Sequence, residues 1–228
     1  QEAREYDRLT IGKNGARNQA GRLHDHGYGN SGATSGHLIP AHDQALKLGW
    51  KGIYQDIESR YEKLSTSEKN GPKGAQYKAM MTGALMPKEL AGRYRKLCLD
   101  IAKDEPDPQR KTELNQMAYN LERIPWEPPQ TFWEAVQALW INHMLIMADE
   151  NYPGAGTSLG RPDQYLYPYW KKSLDEGMDR EFGKEIMKCF WFHCNTVYDA
   201  FINQGPDGIT ASLGQLISIG GMDKDGND

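Results

Sequence analysis

Residues 131–147 read T-F-W-E-A-V-Q-A-L-W-I-N-H-M-L-I-M, and this stretch limits the folds open to the chain more than any other. Thr131 and Glu134 form a capping box, in which each side chain satisfies a free backbone amide at a helix start. Phe132, Val136, Leu139, His143 and Met147 then share one face. Trp140, Ile141, Met144 and Leu145 widen the apolar surface until little is left for water, so this helix is predicted to be enclosed on most sides. Its neighbours have to be amphipathic, and several such segments exist. Leu46, Trp50, Ile53, Ile57, Tyr61 and Leu64 recur at helical spacing and end at Gly71-Pro72. A second stretch runs from about Ala75 to Lys103, with Pro87 expected to kink or divide it. A third fits Arg110 to Glu122, with Leu114, Met117, Ala118 and Leu121 inward. A fourth fits Arg180 to Asn203, with Phe182, Ile186, Phe190, Val197, Tyr198 and Phe201 as core. The prolines of I-P-W-E-P-P-Q predict an extended link, and Q-L-I-S-I-G-G reads as one short buried strand.

Charge and composition narrow the function. The 228 residues carry a formal net charge of -4, with 38% apolar and 25% charged side chains, so a core can form and no basic patch invites nucleic acid or an anionic membrane. No apolar run approaches the roughly 18 residues that cross a bilayer, and Q-E-A-R-E-Y-D-R-L-T is too polar for a signal peptide, which predicts a cytoplasmic location. Cys98, Cys189 and Cys194 contain no C-x-x-C pair, against both a disulfide framework and a structural zinc. The chain lacks an initiator methionine and ends on the turn-like M-D-K-D-G-N-D, so it is expected to be a piece of a longer polypeptide.

No complete catalytic set is present. Residues 10–36 form a long, glycine-rich polar segment of the kind that often carries function. His24 and His26 flank Asp25, a spacing that offers ligands without completing a metal site, and no bound metal is expected. His37 and His42 bracket a proline, suiting a helix cap or a satisfied loop histidine, and His143 on its apolar stripe reads as a core histidine. G-A-G-T-S-L-G at 154–160 misses the dinucleotide fingerprint by one residue and follows a helix. Its glycines let backbone approach another segment or a ligand closely. Arg161 and Asp163 are placed to bridge locally and fix that backbone, ahead of Tyr165, Tyr167, Tyr169 and Trp170.

Taken in order, G-H-L-I-P-A-H-D-Q-A-L-K-L-G-W-K-G-I (36–53), T-F-W-E-A-V-Q-A-L-W-I-N-H (131–143), S-L-G-R-P-D-Q-Y-L-Y-P-Y-W (158–170) and S-I-G-G-M-D-K-D-G (218–226) resemble the glycyl radical enzymes of the pyruvate formate-lyase type. The resemblance implies an α/β fold, with residues 1–228 a mostly helical early part of a ten-stranded α/β barrel. It implies a glycyl radical on one loop and a cysteine on another, whose thiyl radical abstracts hydrogen from the substrate. Neither a G-C-x-E nor an R-V-x-G-Y segment is in this sequence, so no catalytic residue and no directly bound cofactor is expected within it. A small-molecule substrate, a radical SAM activating enzyme and a homodimer are the implied partners. Where relatives carry a G-H-S-type sequence, this chain has Ala155 and Gly156. Losing those polar groups disfavours polyols, whose hydroxyls would be buried unpaired, and leaves room for a flat apolar group. The expected reaction is therefore that of an arylacetate-type decarboxylase or a fumarate-adding hydrocarbon synthase, with a diol or hydroxyproline dehydratase or an amine lyase as the alternative. Ala155, Gly156 and Thr157 are expected on one wall of the pocket, and Thr34, Ser35 and His37 on the other. The alternative of another class is a noncatalytic helical assembly module.

Overall fold

The computed structural model describes residues 38–149, 157–199, 217–222 and 225–226. Among these, seven helices follow in order: α1 (His42–Glu62), α2 (Thr66–Lys69), α3 (Pro72–Asp104), α4 (Pro108–Leu121), α5 (Phe132–Asp149), α6 (Pro162–Asp175) and α7 (Arg180–Asp199). The β component among the described residues is a single parallel bridge between Gly160 and Ile217.

Helix α5 is the hub, in contact with α1, α3, α6 and α7. Ala135, Leu139 and Met147 are completely buried, and Phe132, Val136 and Ile141 nearly so; each large apolar side chain hidden this way stabilises the fold by roughly 1.5–3 kcal/mol. The capping box forms as predicted. Glu134 N–H donates to Thr131 Oγ1 at 3.2 Å, and Thr131 N–H returns to Glu134 Oε2 at 3.3 Å. Glu134 also accepts from Gln130 N–H at 2.6 Å and from Arg123 Nη1 at 3.2 Å, which is how a carboxylate with only 4% of its side chain exposed is tolerated. Ser173 Oγ of α6 accepts from Phe132 N–H at 2.8 Å, closing a further free amide of the first turn.

Helices α3 and α4 form an antiparallel pair over Ala91, Cys98, Ala102, Leu114, Ala118 and Leu121. Small residues on α3 let the helices approach, and α4 is started by Asp107, whose side chain accepts from Gln109 N–H. Asn120 Nδ2 donates to Gln137 Oε1 at 3.0 Å and Gln137 Nε2 to Met117 O at 3.2 Å, setting α4 against α5.

Several expectations are corrected. Helix α3 runs undivided from Pro72 to Asp104 through Pro87, which is buried, so of the kink or division expected there the division does not occur, and packing holds the helix across the proline. The I-P-W-E part of the I-P-W-E-P-P-Q segment is a tight turn where an extended link was expected, and residues 128–130 carry no regular structure. Ile124 N–H donates to Asn120 O at 3.0 Å and Glu127 N–H to Arg123 O at 2.8 Å, with Ile124 buried beneath. Residues 217–222 are exposed along their length and make one bridge, so the predicted buried strand is an outer strap. Phe182, expected in the core, is 40% exposed and packs edge-on against Trp133. Val197, Tyr198 and Phe201 lie outside the residues whose side chains are described.

Gly49 breaks α1 at φ 62°, ψ 163°. The break turns Trp50 N–H to Pro125 O at 3.0 Å and Lys51 N–H to Trp126 O at 2.8 Å, docking α1 on the turn after α4. A Cβ at Gly49 would stand 2.5 Å from Trp126 O and 2.8 Å from Pro128 N, on a backbone conformation that side chains resist. Gly49→Ala is expected to lower the unfolding free energy of the full-length protein by more than about 3 kcal/mol. Gly83→Ala, in α3 where an added Cβ meets nothing within 4 Å, is expected to raise it by about 0.5–1 kcal/mol. Urea titrations of the two variants against wild type check the contrast.

Candidate functional site

The resembling segments, far apart in sequence, meet at one place. Ser158 N–H donates to Leu38 O at 2.9 Å, laying the start of the S-L-G-R segment along the residues before α1. Ser218 N–H donates to Gly160 O at 2.9 Å beside the Gly160–Ile217 bridge. Tyr165 Oη donates to Leu159 O at 2.9 Å, folding the first turn of α6 back on the same segment. Beneath lie His42 and His143, whose ring centroids are 5.9 Å apart, with Tyr165 at 6.3 Å from His42. Above them opens a cleft of about 950 Å³ lined by Ile39, His42, Tyr165, Asp163, Gly220 and Gly221, among others, at the large end of the range of small-molecule sites.

Arg161 and Asp163 pair as the sequence suggested. Nε and Nη2 of Arg161 reach Oδ1 and Oδ2 of Asp163 at 3.2 Å each, a fork that fixes both planes. Sequence reasoning missed their third partner: Gly220 N–H donates to Asp163 Oδ2 at 3.0 Å, and Gln164 Nε2 reaches Met222 O at 3.4 Å, so the strap 217–222 hangs on the start of α6. Burial alone would raise the Asp163 pKa, but the hydrogen bonds from Arg161 and Gly220 outweigh it and hold the carboxyl below the ordinary aspartate value.

Burial, with His143 alongside, pushes His42 down to about 4, so it is neutral at physiological pH. It is the first residue of α1, beside an N-cap Ala41 that makes no side-chain cap bond, and is 2% exposed; the expected helix cap or loop histidine is instead a core group at the base of the cleft. The G-H-L-I-P-A-H bracket and the position of His143 on an apolar stripe were the available signals. Burial, with the charges of Asp43 and Asp163 nearby, pushes the Tyr165 phenol above its usual range.

Of the predicted wall residues, Thr157 is buried, with a hydroxyl that meets no hydrogen-bond partner among the described residues. Thr34, Ser35, His37, Ala155 and Gly156, like the His24–His26 pair, lie outside the described residues. The cysteines sit on helices and none lines the cleft; burial raises the pKa of Cys98 and pushes Cys194 up to about 12. No helix among the described residues is long and apolar enough to cross a membrane.

His42 generates a pH prediction. Its folded pKa, about 4, lies below the ordinary histidine value of 6.5, so the unfolded chain binds the extra proton between those values and folding is disfavoured there. The native state keeps full stability from this group above pH 6.5 and is expected to lose about 3 kcal/mol as pH falls towards 4. Denaturant midpoints of wild type and His42→Gln between pH 7.5 and 4 check this: the wild-type curve falls more steeply, and parallel curves refute it.

Comparison with known proteins accounts for the convergence. The family profile described as pyruvate formate lyase-like matches residues 23–228. The (2S)-3-sulfopropanediol dehydratase of Klebsiella oxytoca is 31% identical over 201 residues, covering 86% of this chain and 24% of that protein. The indoleacetate decarboxylase of Tractidigestivibacter scatoligenes is 38% identical over 136 residues, 58% of this chain and 15% of the relative. The crystal structure of a glycyl radical enzyme from Archaeoglobus fulgidus superposes with a TM-score of 0.66 at 29% identity, covering 84% of this chain and 25% of that one. The chain spans about a quarter of the length of the dehydratase and of the Archaeoglobus fulgidus enzyme. It belongs to the pyruvate formate lyase-like family.

Proposed function

We propose that residues 1–228 are part of the catalytic domain of a glycyl radical enzyme that carries out lyase chemistry on a small carbon skeleton. The observation that carries this reading is the convergence of segments 38–43, 157–165 and 217–222 on one cleft above His42 and His143. The glycyl radical, read by resemblance on a segment outside this chain, would supply hydrogen-atom abstraction through a cysteine thiyl. The residues in hand bind and orient substrate and exclude water. The rest of the reading follows the family: an α/β barrel completed by further strands, a radical SAM activating enzyme as partner, a homodimer, and a cytoplasmic location.

For the substrate, the reading favoured is an arylacetate decarboxylase, with a fumarate-adding synthase in the same class. Ala155 and Gly156 stand where a polar pair would serve a polyol, and the indoleacetate decarboxylase of Tractidigestivibacter scatoligenes is 38% identical over its shorter match. Thr34, Ser35, His37, Ala155, Gly156 and Thr157 are the proposed contacts, and the hydroxyl of Thr157, buried with no hydrogen-bond partner among the described residues, supports a polar role there. A diol dehydratase is the second reading, favoured by the sulfopropanediol dehydratase, whose match extends over 86% of this chain.

The test uses the full-length protein, activated anaerobically by its cognate activating enzyme. A glycyl radical doublet in electron paramagnetic resonance and carbon dioxide release from phenylacetates or indoleacetate are expected. A doublet with dehydration of 1,2-diols alone moves the assignment to the second reading, and absence of the doublet overturns the enzyme reading. Gly156→Leu is expected to cut turnover by about tenfold or more, by overfilling the pocket, with an unchanged melting temperature and radical yield; unchanged turnover removes Gly156 from the wall.

A further inference from the structure

The strap 217–222 is a wall of the cleft with an unusual composition. Gly220 and Gly221 both sit at φ 77°, and among the described residues a Cβ on either would meet nothing within 4 Å. The wall is therefore bare backbone, in a left-handed conformation that glycine adopts at little intrinsic cost. Such backbone has no side chains of its own to pack, and Ile217, Ile219 and Met222 on either side are 37%, 69% and 67% exposed. The apolar core does not hold it in place. Hydrogen bonds do: Ser218 N–H to Gly160 O, Gly220 N–H to Asp163 Oδ2, and Gln164 Nε2 to Met222 O. Of these, the Asp163 bond is the one that reaches a lining glycine of the pair, and Asp163 is itself fixed through two bonds from Arg161 at 3.2 Å. A charged acceptor makes this the strongest of the set.

We propose that Asp163 is a positioning residue for substrate selection: its carboxylate, oriented by Arg161, sets where the Gly220–Gly221 wall stands in the cleft, and thereby how large a substrate is held. The proposal rests on reading the cleft as the substrate site. Arg161 and Asp163 are 33% and 29% exposed as side chains, so this pair contributes little to global stability, and its loss frees one wall without unfolding the core beneath. A wall free to retreat no longer discriminates between substrates of different girth, while the reacting groups, placed by other segments, keep their rate.

The test compares full-length wild type with Asp163→Asn, Asp163→Ala and Arg161→Gln. Amide hydrogen exchange in the unactivated proteins reads the wall directly: segment 217–222 is expected to exchange about tenfold faster in Asp163→Ala, with segment 157–161 changed far less. In the activated proteins, KM and kcat are measured across two panels of increasing size, arylacetates from phenylacetate to indoleacetate and 1,2-diols from ethanediol upward. For the panel that wild type turns over, the spread of KM from smallest to largest member is expected to collapse by about tenfold in Asp163→Asn, with kcat within about threefold and the radical yield unaltered. Arg161→Gln, which leaves the Gly220 bond but frees its acceptor, is expected to fall between. An equal loss of kcat for all members with the KM spread intact, or unaltered exchange at 217–222, overturns the role of Asp163. Activity on diols alone overturns the arylacetate reading while the same spread still decides Asp163; a radical-bearing wild type active on neither panel overturns both.

Discussion

A helix that is apolar on almost every side has no stable place at a surface, and enclosing α5 organises everything else the structure shows. Its first turn is fastened from two directions, by the Thr131–Glu134 box with Arg123 behind it and by Ser173 reaching across from α6. With that end fixed, rotation of the helix about its axis is fixed too, since a helix presents each side chain at a set angle. Gln137 then meets α4, Trp140 meets Phe190 of α7, and Asn142 accepts from Trp50 Nε1 at 2.8 Å. One residue further on, His143 is delivered to His42 and the base of the cleft. The functional region is thus built on the most constrained element of the chain, which suits a site that must hold its geometry.

What the sequence made legible follows from how far each signal reaches. The capping box, the helical periodicities and the Arg161–Asp163 pair are written within a few residues of one another, and each is found in the structure. Periodicity also identified His143 as a core group, because a histidine on an apolar stripe shares the burial of its neighbours. The misses involve partners distant in sequence. Nothing near Gly49 announces that its amide neighbours bond to Pro125 and Trp126, and nothing near Gly220 announces Asp163. Phe182 fits the apolar face of α7 by spacing, yet α5 offers it Trp133 at the rim and not a closed core. The proline run was read from backbone preference alone, whereas burial of Ile124 and the bond from Glu127 N–H to Arg123 O bend it into a turn. For the site itself, the family resemblance identified the segments that converge, but not that His42 lies beneath them.

The aromatic run after Arg161 shows the same division on a small scale. Tyr165 turns inward to Leu159 and His42, Leu166 is buried, and Trp170 stands edge-on to Phe132 at 4.9 Å, while Tyr167 is left 58% exposed beside the strap. One helix therefore closes the core on one side and borders the cleft on the other. The buried side makes the segment rigid, and the exposed side makes it available.

Electrostatics within the cleft bear on which chemistry it suits. Its histidine is held neutral, its buried tyrosine is held protonated, and Arg161 and Asp163 cancel each other at 3.2 Å. Asp43 and Asp225 also line the cleft, so beyond that pair the charged side chains of its described lining are acidic. That acidic lining places a demand on an anionic substrate. Arg161 is the one lysine or arginine among the described lining residues, and it is committed to Asp163. An arylacetate carboxylate in this cleft must therefore find its counter-charge on a segment outside the described residues or draw Arg161 away from Asp163, loosening the strap as it binds. A diol makes no such demand. If the substrate is an acid, the ion pair that positions the wall and the group that senses the carboxylate are the same, and binding and wall position become coupled through Arg161.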